Sequence, residues 1–423
     1  MKRIKRLLLV LLTSSSLQVF AQTSDAVFKK IYDLVEQTNF FKANEYYNLQ
    51  KNNLNKIHQD VVEALLHNAF NQLERSNEKV GKLVQAKNNL PDSLMLKLYR
   101  IKEDNAVKLY DYKEAKNTLV TVLQDYKQLL TNDNKSELEN NLKIWTALEN
   151  EAKQQVAIKE HTCLKMEKDK AGLNNLTVSS GENKAEFIFD TGANLSTASE
   201  TTAKKMGMKI IPAAIEVGTI TGEIVSAQLA VCPILKLGAI EIRNSIFLVM
   251  KDEALAFPQI GYQIQGILGF PVIEAFKEVQ ITQDGFFIVP KEETELETKS
   301  NLAMDGLTPL VLLNDKHFTL DTGADSTILY SSYFSENRQN IIANYAETDI
   351  SFGGAGGVKE FKGYKIDFNI AINEKNITLK NVSLLTTGID EMKNGVYGNI
   401  GQDLIRQFDK MTLNFNQMFI KFD

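Results

Sequence analysis

The segment Phe187-Ile188-Phe189-Asp190-Thr191-Gly192-Ala193 is repeated later in the chain as Phe318-Thr319-Leu320-Asp321-Thr322-Gly323-Ala324. The two Asp residues are 131 positions apart (321 − 190). In each copy an apolar, strand-like run ends at an Asp, and Thr-Gly follows. A Gly at this place lets the chain enter a tight turn that holds the Asp side chain over the centre of a molecule. One such tripeptide carries little weight, but two copies in the same context indicate a duplicated fold.

A second landmark repeats with nearly the same period. Gly266-Ile267-Leu268-Gly269 returns 132 positions later (398 − 266) as Gly398-Asn399-Ile400-Gly401, and Phe276 and Phe408 follow the two copies at the same distance. Short alternating strands broken by Gly, Asn and Asp surround both landmarks. The sequence therefore predicts two β lobes of one design.

The N-terminal third has a different texture. From Ser24 to Lys159 it holds one Pro and one Gly, and its apolar residues recur at helical spacing. Residues 39–44 recur approximately as residues 111–116, which weakly resembles tetratricopeptide-type helical hairpins. We interpret this part as an all-α helical-hairpin domain, acting either as a docking platform or as a bundle that packs on the rest of the chain.

These patterns predict a multidomain α and β protein: helical hairpins followed by a bilobal all-β unit. The predicted boundaries, in chain order, are residues 1–21 for a signal peptide, 22–159 for the helical domain, 160–289 for lobe one, 290–300 for a linker and 301–423 for lobe two. The linker is assigned because this run is charged and lacks apolar core residues.

The first residues predict export. Met1–Arg6 are cationic, Leu7–Leu12 are apolar, and a cleavage point follows Ala21. A retained anchor is the rival, but the apolar run is short and no later segment reaches about 18 apolar residues. We expect a periplasmic or secreted chain without a membrane span. A net charge of −5 without a basic stripe predicts no nucleic-acid partner.

The residues from His161 to Asp423, above all Leu320–Thr327, resemble the aspartic peptidases, and within them the retropepsin-like branch. The resemblance implies an acid-protease barrel in which two lobes face one another about a two-fold axis. Here both lobes lie on one chain, as in pepsin-like enzymes. It also implies that Asp190 and Asp321 are the catalytic pair and share one proton, because like charges in one site cannot both ionise easily.

The same resemblance assigns supporting roles. Hydrogen bonds across the lobe interface are expected from Thr191 and Thr322, and close backbone approach to substrate from Gly192 and Gly323. The segments crossing the catalytic loops comprise Leu268 and Gly269 in lobe one, and Ile400 and Gly401 in lobe two. Unequal flaps are expected, with Gly353, Gly354, Gly356 and Gly357 at the tip in lobe two, and Gly218, Thr219 and Gly222 at the matching place in lobe one.

One departure from the resemblance concerns charge. The retroviral pattern has Arg after the second crossing segment, whereas here Gln402 and Asp403 follow Gly401. We therefore expect Asp325 to lack an Arg partner. No His shows metal-ligand spacing, so neither a metal nor a cofactor is expected. Cys163 and Cys232 could form one disulfide or remain buried thiols.

The sequence thus predicts an exported aspartic endopeptidase that cleaves peptide or protein substrates, with the helical domain as a further protein-binding element. A non-catalytic peptide-binding or assembly protein that keeps this fold is the alternative. In a third arrangement the helical domain occludes the cleft until it is removed.

Overall fold

The computed structural model describes residues 24–85, 90–218, 224–295, 299–354, 357–386 and 395–423. The predicted signal peptide, residues 1–21, lies outside them. The described chain begins with helices and continues with β-sheets, which confirms the predicted fold class. No helix within these ranges is long and apolar enough to cross a membrane.

Seven helices form the N-terminal domain: α1 (residues 24–36), α2 (Phe40–Gln50), α3 (Lys56–Ala69), α4 (Leu73–Gln85), α5 (Asp92–Lys108), α6 (Tyr112–Asp125) and α7 (Asn132–Leu148). Four of them begin after a side chain that accepts a main-chain N–H of the first turn: Asn39, Asn55, Asp111 and Thr131. Such caps satisfy donors that the helix itself leaves free. From α3 to α7, each helix packs on the next.

The helical domain is joined to both lobes by apolar packing. One cluster combines residues of α1 to α5 with Ala303, Leu310 and Val396 of lobe two. A second cluster combines α5 to α7 with lobe one, including Ile188 and Ile215. Burial of apolar surface on both sides holds the three parts together.

Lobe one contains the following elements: β1 (Gln155–Ile158), β2 (Thr162–Lys165), β3 (Glu167–Lys168), β4 (Asn174–Ser180), β5 (Asn183–Phe189), β6 (Ser196–Ser199), α8 (Glu200–Lys205), β7 (Lys209–Gly218), β8 (Ile224–Leu237), β9 (Ile240–Met250), β10 (Ala256–Phe257), β11 (Tyr262–Gln263), β12 (Gly266–Leu268), α9 (Phe270–Glu274), β13 (Glu278–Thr282) and β14 (Phe286–Val289). Its main sheet runs β1-β9-β6-β12-β5-β4-β8-β7, with β3 beside β4. Strand β1 belongs to this sheet and lies before the predicted boundary at residues 159 and 160.

Lobe two contains β15 (Leu302–Asp305), β16 (Thr308–Leu313), β17 (Lys316–Leu320), β18 (Ile328–Leu329), α10 (Ser331–Asn344), β19 (Glu347–Gly354), β20 (Gly357–Ile372), β21 (Lys375–Leu385), β22 (Val396–Ile400), α11 (Gln402–Ile405), β23 (Lys410–Asn414) and β24 (Phe419–Phe422). Its sheet runs β15-β16-β17-β22-β18-β21-β20-β19.

The strand pairing repeats between the lobes as the sequence does. In lobe one, β12 lies parallel to β5 and antiparallel to β6. In lobe two, β22 lies parallel to β17 and antiparallel to β18. Strands β5 and β17 end immediately before Asp190 and Asp321. The duplicated pairing therefore brings two matching loops to the junction of the lobes.

A five-stranded sheet, β2-β14-β13-β23-β24, spans the two lobes. Its central carboxylate is Glu278, which is fully buried and accepts hydrogen bonds from the Thr294 main-chain N–H and hydroxyl, both at 2.7 Å, and from the Asn414 amide at 2.9 Å. A buried carboxylate is tolerated when donors satisfy it. The described part of the predicted linker is therefore anchored to this sheet.

Candidate active site

Each loop-forming Asp follows the last residue of its strand and is held there by the crossing segment. The Asp190 N–H donates to the Leu268 carbonyl at 3.1 Å, and the Asp321 N–H donates to the Ile400 carbonyl at 2.9 Å. Thus the expected crossing residues Leu268 and Ile400 each lie beside one Asp.

The glycines after the two threonines bring the carboxyl groups together. The Gly192 N–H donates to Asp190 Oδ1 at 2.8 Å, and the Gly323 N–H donates to Asp321 Oδ1 at 2.9 Å. A Cβ atom on Gly192 would lie 2.7 Å from the Asp321 carboxyl carbon, and one on Gly323 would lie 2.3 Å from that of Asp190. Each carboxyl therefore occupies the space that a side chain on the other loop would fill.

Two threonines bond the loops to each other. The Thr191 hydroxyl donates to the Leu320 carbonyl at 2.7 Å and accepts the Thr322 N–H at 3.0 Å. Reciprocally, the Thr322 hydroxyl donates to the Phe189 carbonyl at 2.8 Å and accepts the Thr191 N–H at 3.1 Å. Both side chains are buried, so these four bonds fix the separation of the carboxyl groups without solvent competition.

The glycines of the crossing segments permit close contact with the loops. A Cβ on Gly269 would lie 2.5 Å from the Leu195 carbonyl carbon, and one on Gly401 would lie 2.6 Å from that of Ser326. The Gly269 N–H donates to the Ser196 hydroxyl at 3.0 Å, while Gly401 donates likewise to Thr327 at 3.2 Å. The two lobes thus use the same contact.

The pair is electrostatically coupled. Burial raises the pKa of Asp190 well above its ordinary value, and the neighbouring charge of Asp321 raises it further, while the Gly192 N–H acts in the opposite direction. Two adjacent carboxyl groups of which one resists ionisation hold a proton between them. Such a pair can supply a general base and a general acid at once.

Sequence reasoning missed a polar chain behind Asp321. The Asn399 amide donates to Asp321 Oδ2 at 3.0 Å, and the Thr319 hydroxyl donates to Asn399 Oδ1 at 2.5 Å. A signal was present in the sequence, because Asn399 stands where the first copy of the segment has Ile267.

The expectation for Asp325 was wrong. Arg406 lies 2.5 Å from Asp325 as an ion pair, and Gln402, which stands at the expected Arg position, donates to the Thr322 carbonyl at 2.8 Å. Residues 402 and 406 are about one helical turn apart and lie on the same face of the α11 turn. The Arg406 guanidinium therefore contacts the Asp325 carboxylate from a position four residues after Gln402.

The expected flaps are β-hairpins. Gly218 ends β7 and pairs with Ile224, while Gly354 ends β19 and pairs with Gly357. Gly353 precedes Gly354 in β19, and Thr219, Gly222 and Gly356 lie outside the described residues.

The lobe-one flap is held by the helical domain. The Asn140 side chain of α7 donates to the Glu216 carbonyl at 2.8 Å and accepts the Glu216 N–H at 2.9 Å. These two bonds satisfy main-chain groups of β7, which is the edge strand of its sheet. Asp190 and Asp321 remain partly exposed, so the helical domain does not seal the pair from solvent.

Other titratable candidates lie elsewhere. His317 is buried beneath the Phe41 ring, with ring centroids 5.6 Å apart, and burial lowers its pKa to about 4. Cys163 is exposed, Cys232 is buried, and the two are not bridged. Within the described ranges, no group of three or more His, Cys, Asp or Glu is arranged to hold a metal ion.

Two facing carboxyl loops, bonded through reciprocal threonines, are the arrangement that the sequence resemblance implied. Residues 175–272 match the aspartyl protease family, which confirms the resemblance to aspartic peptidases. A crystal structure of a retropepsin-like aspartic protease from Rickettsia conorii is similar at 19% identity and a TM-score of 0.21, over 32% of this chain and 91% of that one. Among curated proteins, none matches.

Proposed function

We propose that the chain is an aspartic endopeptidase with one active site formed by Asp190 and Asp321. The observation that carries this proposal is the cross-lobe pair of Thr–Gly loops, which places two carboxyl groups together with one of them disposed to keep its proton. This arrangement suits the hydrolysis of a peptide bond by an activated water, since that reaction takes a proton from water and gives one to the carbonyl oxygen.

In the first step, the ionised carboxylate removes a proton from a water molecule, and the water oxygen bonds to the scissile carbonyl carbon. The π electrons of the carbonyl move to its oxygen, which takes the proton of the other carboxyl group. In the second step, the carboxyl that took the proton from water gives it to the amide nitrogen, and the C–N bond breaks. A hydroxyl group of the tetrahedral intermediate then returns its proton to the pair. The pair ends with the one proton it began with.

The flap hairpins and the export signal complete the proposal. A strand hairpin from each lobe can close over an extended peptide, as a lid must when water access is to be limited. We place the mature enzyme in the periplasm or the medium, on the sequence of residues 1–21.

The test is cleavage of a diverse peptide mixture, read by mass spectrometry from mildly acidic to neutral pH. Asp190→Asn and Asp321→Asn should each lower kcat/KM by at least about a thousandfold, because neither amide can replace its carboxyl in proton transfer. Asp315→Asn is the matched control, since Asp315 is exposed in a turn with φ of 59° that Asn also adopts.

A peptide-binding protein without catalysis gives a different result. It would leave the mixture uncut at every pH while both Asn variants still retained bound peptides. That outcome would favour the binding function over the enzyme.

A further inference from the structure

The two lobes differ at one ladder position beside the active carboxyls. In lobe one, β5 and β12 pair Ile188 with Ile267. At the equivalent position of lobe two, β17 and β22 pair Thr319 with Asn399. The duplicated fold therefore presents an apolar pair next to Asp190 and a polar pair next to Asp321.

The polar pair has a fixed hydrogen-bond direction. Thr319 has one hydroxyl proton and donates it to Asn399 Oδ1, so the Asn399 amide group is directed at Asp321 Oδ2. The reverse amide orientation would place an oxygen against a carboxylate oxygen. Thr319 and Asn399 thus aim one N–H donor at Asp321.

A donor of this kind favours an ionised acceptor. Asp321 accepts the Gly323 N–H at Oδ1 and the Asn399 side-chain amide at Oδ2. The donors that act on the Asp190 carboxyl are main-chain N–H groups, those of Gly192 and Ala193. Hydrogen bonds to charged groups are worth roughly 1.5–3 kcal/mol, about twice those between neutral groups.

We propose that Asn399 is a positioning residue that makes Asp321 the ionised member of the pair and leaves the shared proton on Asp190. This inference rests on the proposed peptidase function and deepens it. Asp321 is then the base that takes the proton from water, and Asp190 is the acid that protonates the carbonyl oxygen.

Among the residues that the structure describes, the titratable groups that act on Asp321 are Asp190 and Tyr330. Asp190 is its partner, and Tyr330 stays neutral through the working range because burial raises its pKa to about 12. Any pH dependence that follows a change at Asn399 therefore belongs to the Asp pair.

The test compares the pH profile of kcat/KM in the native chain and in Asn399→Leu, on one peptide found in the cleavage mixture. Without the Asn399 donor, the singly ionised pair is less stable relative to the fully protonated pair. A higher pH is therefore needed to form it. We expect the acidic limb to move to higher pH by about one to two pH units. The alkaline limb should move less, since the donor is present on both sides of that ionisation.

Thr319→Val and Thr319→Ser form the second comparison. The Val variant frees the amide to turn and should shift the acidic limb in the same direction by a smaller amount, and the Ser variant should restore it. These variants also serve if Asn399→Leu fails to fold, since they leave Asn399 in place.

A readout independent of turnover separates the two proposals. With carboxyl-¹³C aspartate, the signals of the pair are assigned by their loss in Asp190→Asn and Asp321→Asn. The first ionisation of the pair, followed on these signals, should occur at higher pH in Asn399→Leu than in the native chain. An active enzyme whose profile and carboxyl titration are unchanged by Asn399→Leu overturns the role of Asn399 and leaves the peptidase intact. An inactive native chain rejects the peptidase, while the titration still decides the role of Asn399.

Discussion

The two lobes share strand order, loop sequence and crossing segments, yet they differ in what surrounds their carboxyls and flaps. Beside Asp190 the ladder is apolar, and the flap strand β7 is paired by Asn140 of the helical domain. Beside Asp321 the ladder carries Thr319 and Asn399. Both flap strands pair within their own lobes, β7 with β8 and β19 with β20, and β7 has the bonds to Asn140 in addition. The two lobes thus carry equivalent carboxyls in unequal surroundings, and the proposed division into one acid and one base depends on this inequality.

The largest expected effect comes from the part that the lobes share. In Gly323→Ala, the new Cβ would lie 2.3 Å from the Asp190 carboxyl carbon, so the pair must separate. We expect kcat/KM to fall by about a hundredfold or more, because misplacement of reacting groups by about 1 Å has that effect. Peptide cleavage measures it. Gly81→Ala is the control, since its Cβ meets no atom within 4 Å in helix α4; an equal loss there would refute the steric argument.

The next effect concerns the bonds between the lobes. Thr322→Val leaves the Thr191 N–H and the Phe189 carbonyl without partners in a buried position. We expect the free energy of unfolding to fall by about 2–5 kcal/mol, since each unsatisfied buried group costs about 1–3 kcal/mol. Denaturant titration measures this, and Thr322→Ser, which keeps the hydroxyl, should lose much less. Equal losses in Val and Ser would show that packing rather than the cross-lobe bonds matters.

A smaller effect tests the difference between the flaps. Asn140→Ala removes both bonds to the Glu216 main chain and should raise hydrogen exchange in β7 by roughly tenfold, while β19 stays unchanged. Exchange measured by mass spectrometry resolves the two strands. Asn141→Ala alters the adjacent side chain of α7 and leaves the Glu216 contact in place. If exchange in β7 does not respond to Asn140→Ala, the helical domain does not restrain this flap.

The smallest effect concerns the ion pair that the sequence did not reveal. Arg406 and Asp325 are both substantially exposed, so Arg406→Gln should change the free energy of unfolding by less than about 1 kcal/mol. Lys380→Gln removes the exposed pair with Asp367 and provides the comparison for stability. A large fall in kcat/KM with stability unchanged would instead give Arg406 a part in substrate binding.

Sequence patterns predicted the features that local rules control. Helical periodicity and the scarcity of Pro and Gly gave the N-terminal domain, and the repeated Asp-Thr-Gly gave the pair of loops. Asn399 was not recognised, because its bond to Asp321, 78 positions away, depends on the register of β17 against β22. Arg406 was not expected beside Asp325, because the resemblance places an Arg directly after Gly401, whereas here the cation lies about one helical turn further along the chain.

We infer that the two lobes build one coupled carboxyl pair. A direct test is carboxyl-¹³C NMR of the native chain beside Asp190→Asn and Asp321→Asn. We predict one carboxyl that keeps its proton well above the ordinary Asp range, because burial and the neighbouring charge both raise the pKa of Asp190. Its signal should vanish in Asp190→Asn and titrate at lower pH in Asp321→Asn, where the neighbouring charge is gone. If every Asp carboxyl of the native chain ionises in the ordinary range, and neither variant alters the titration of the other Asp, the lobes do not form a shared site.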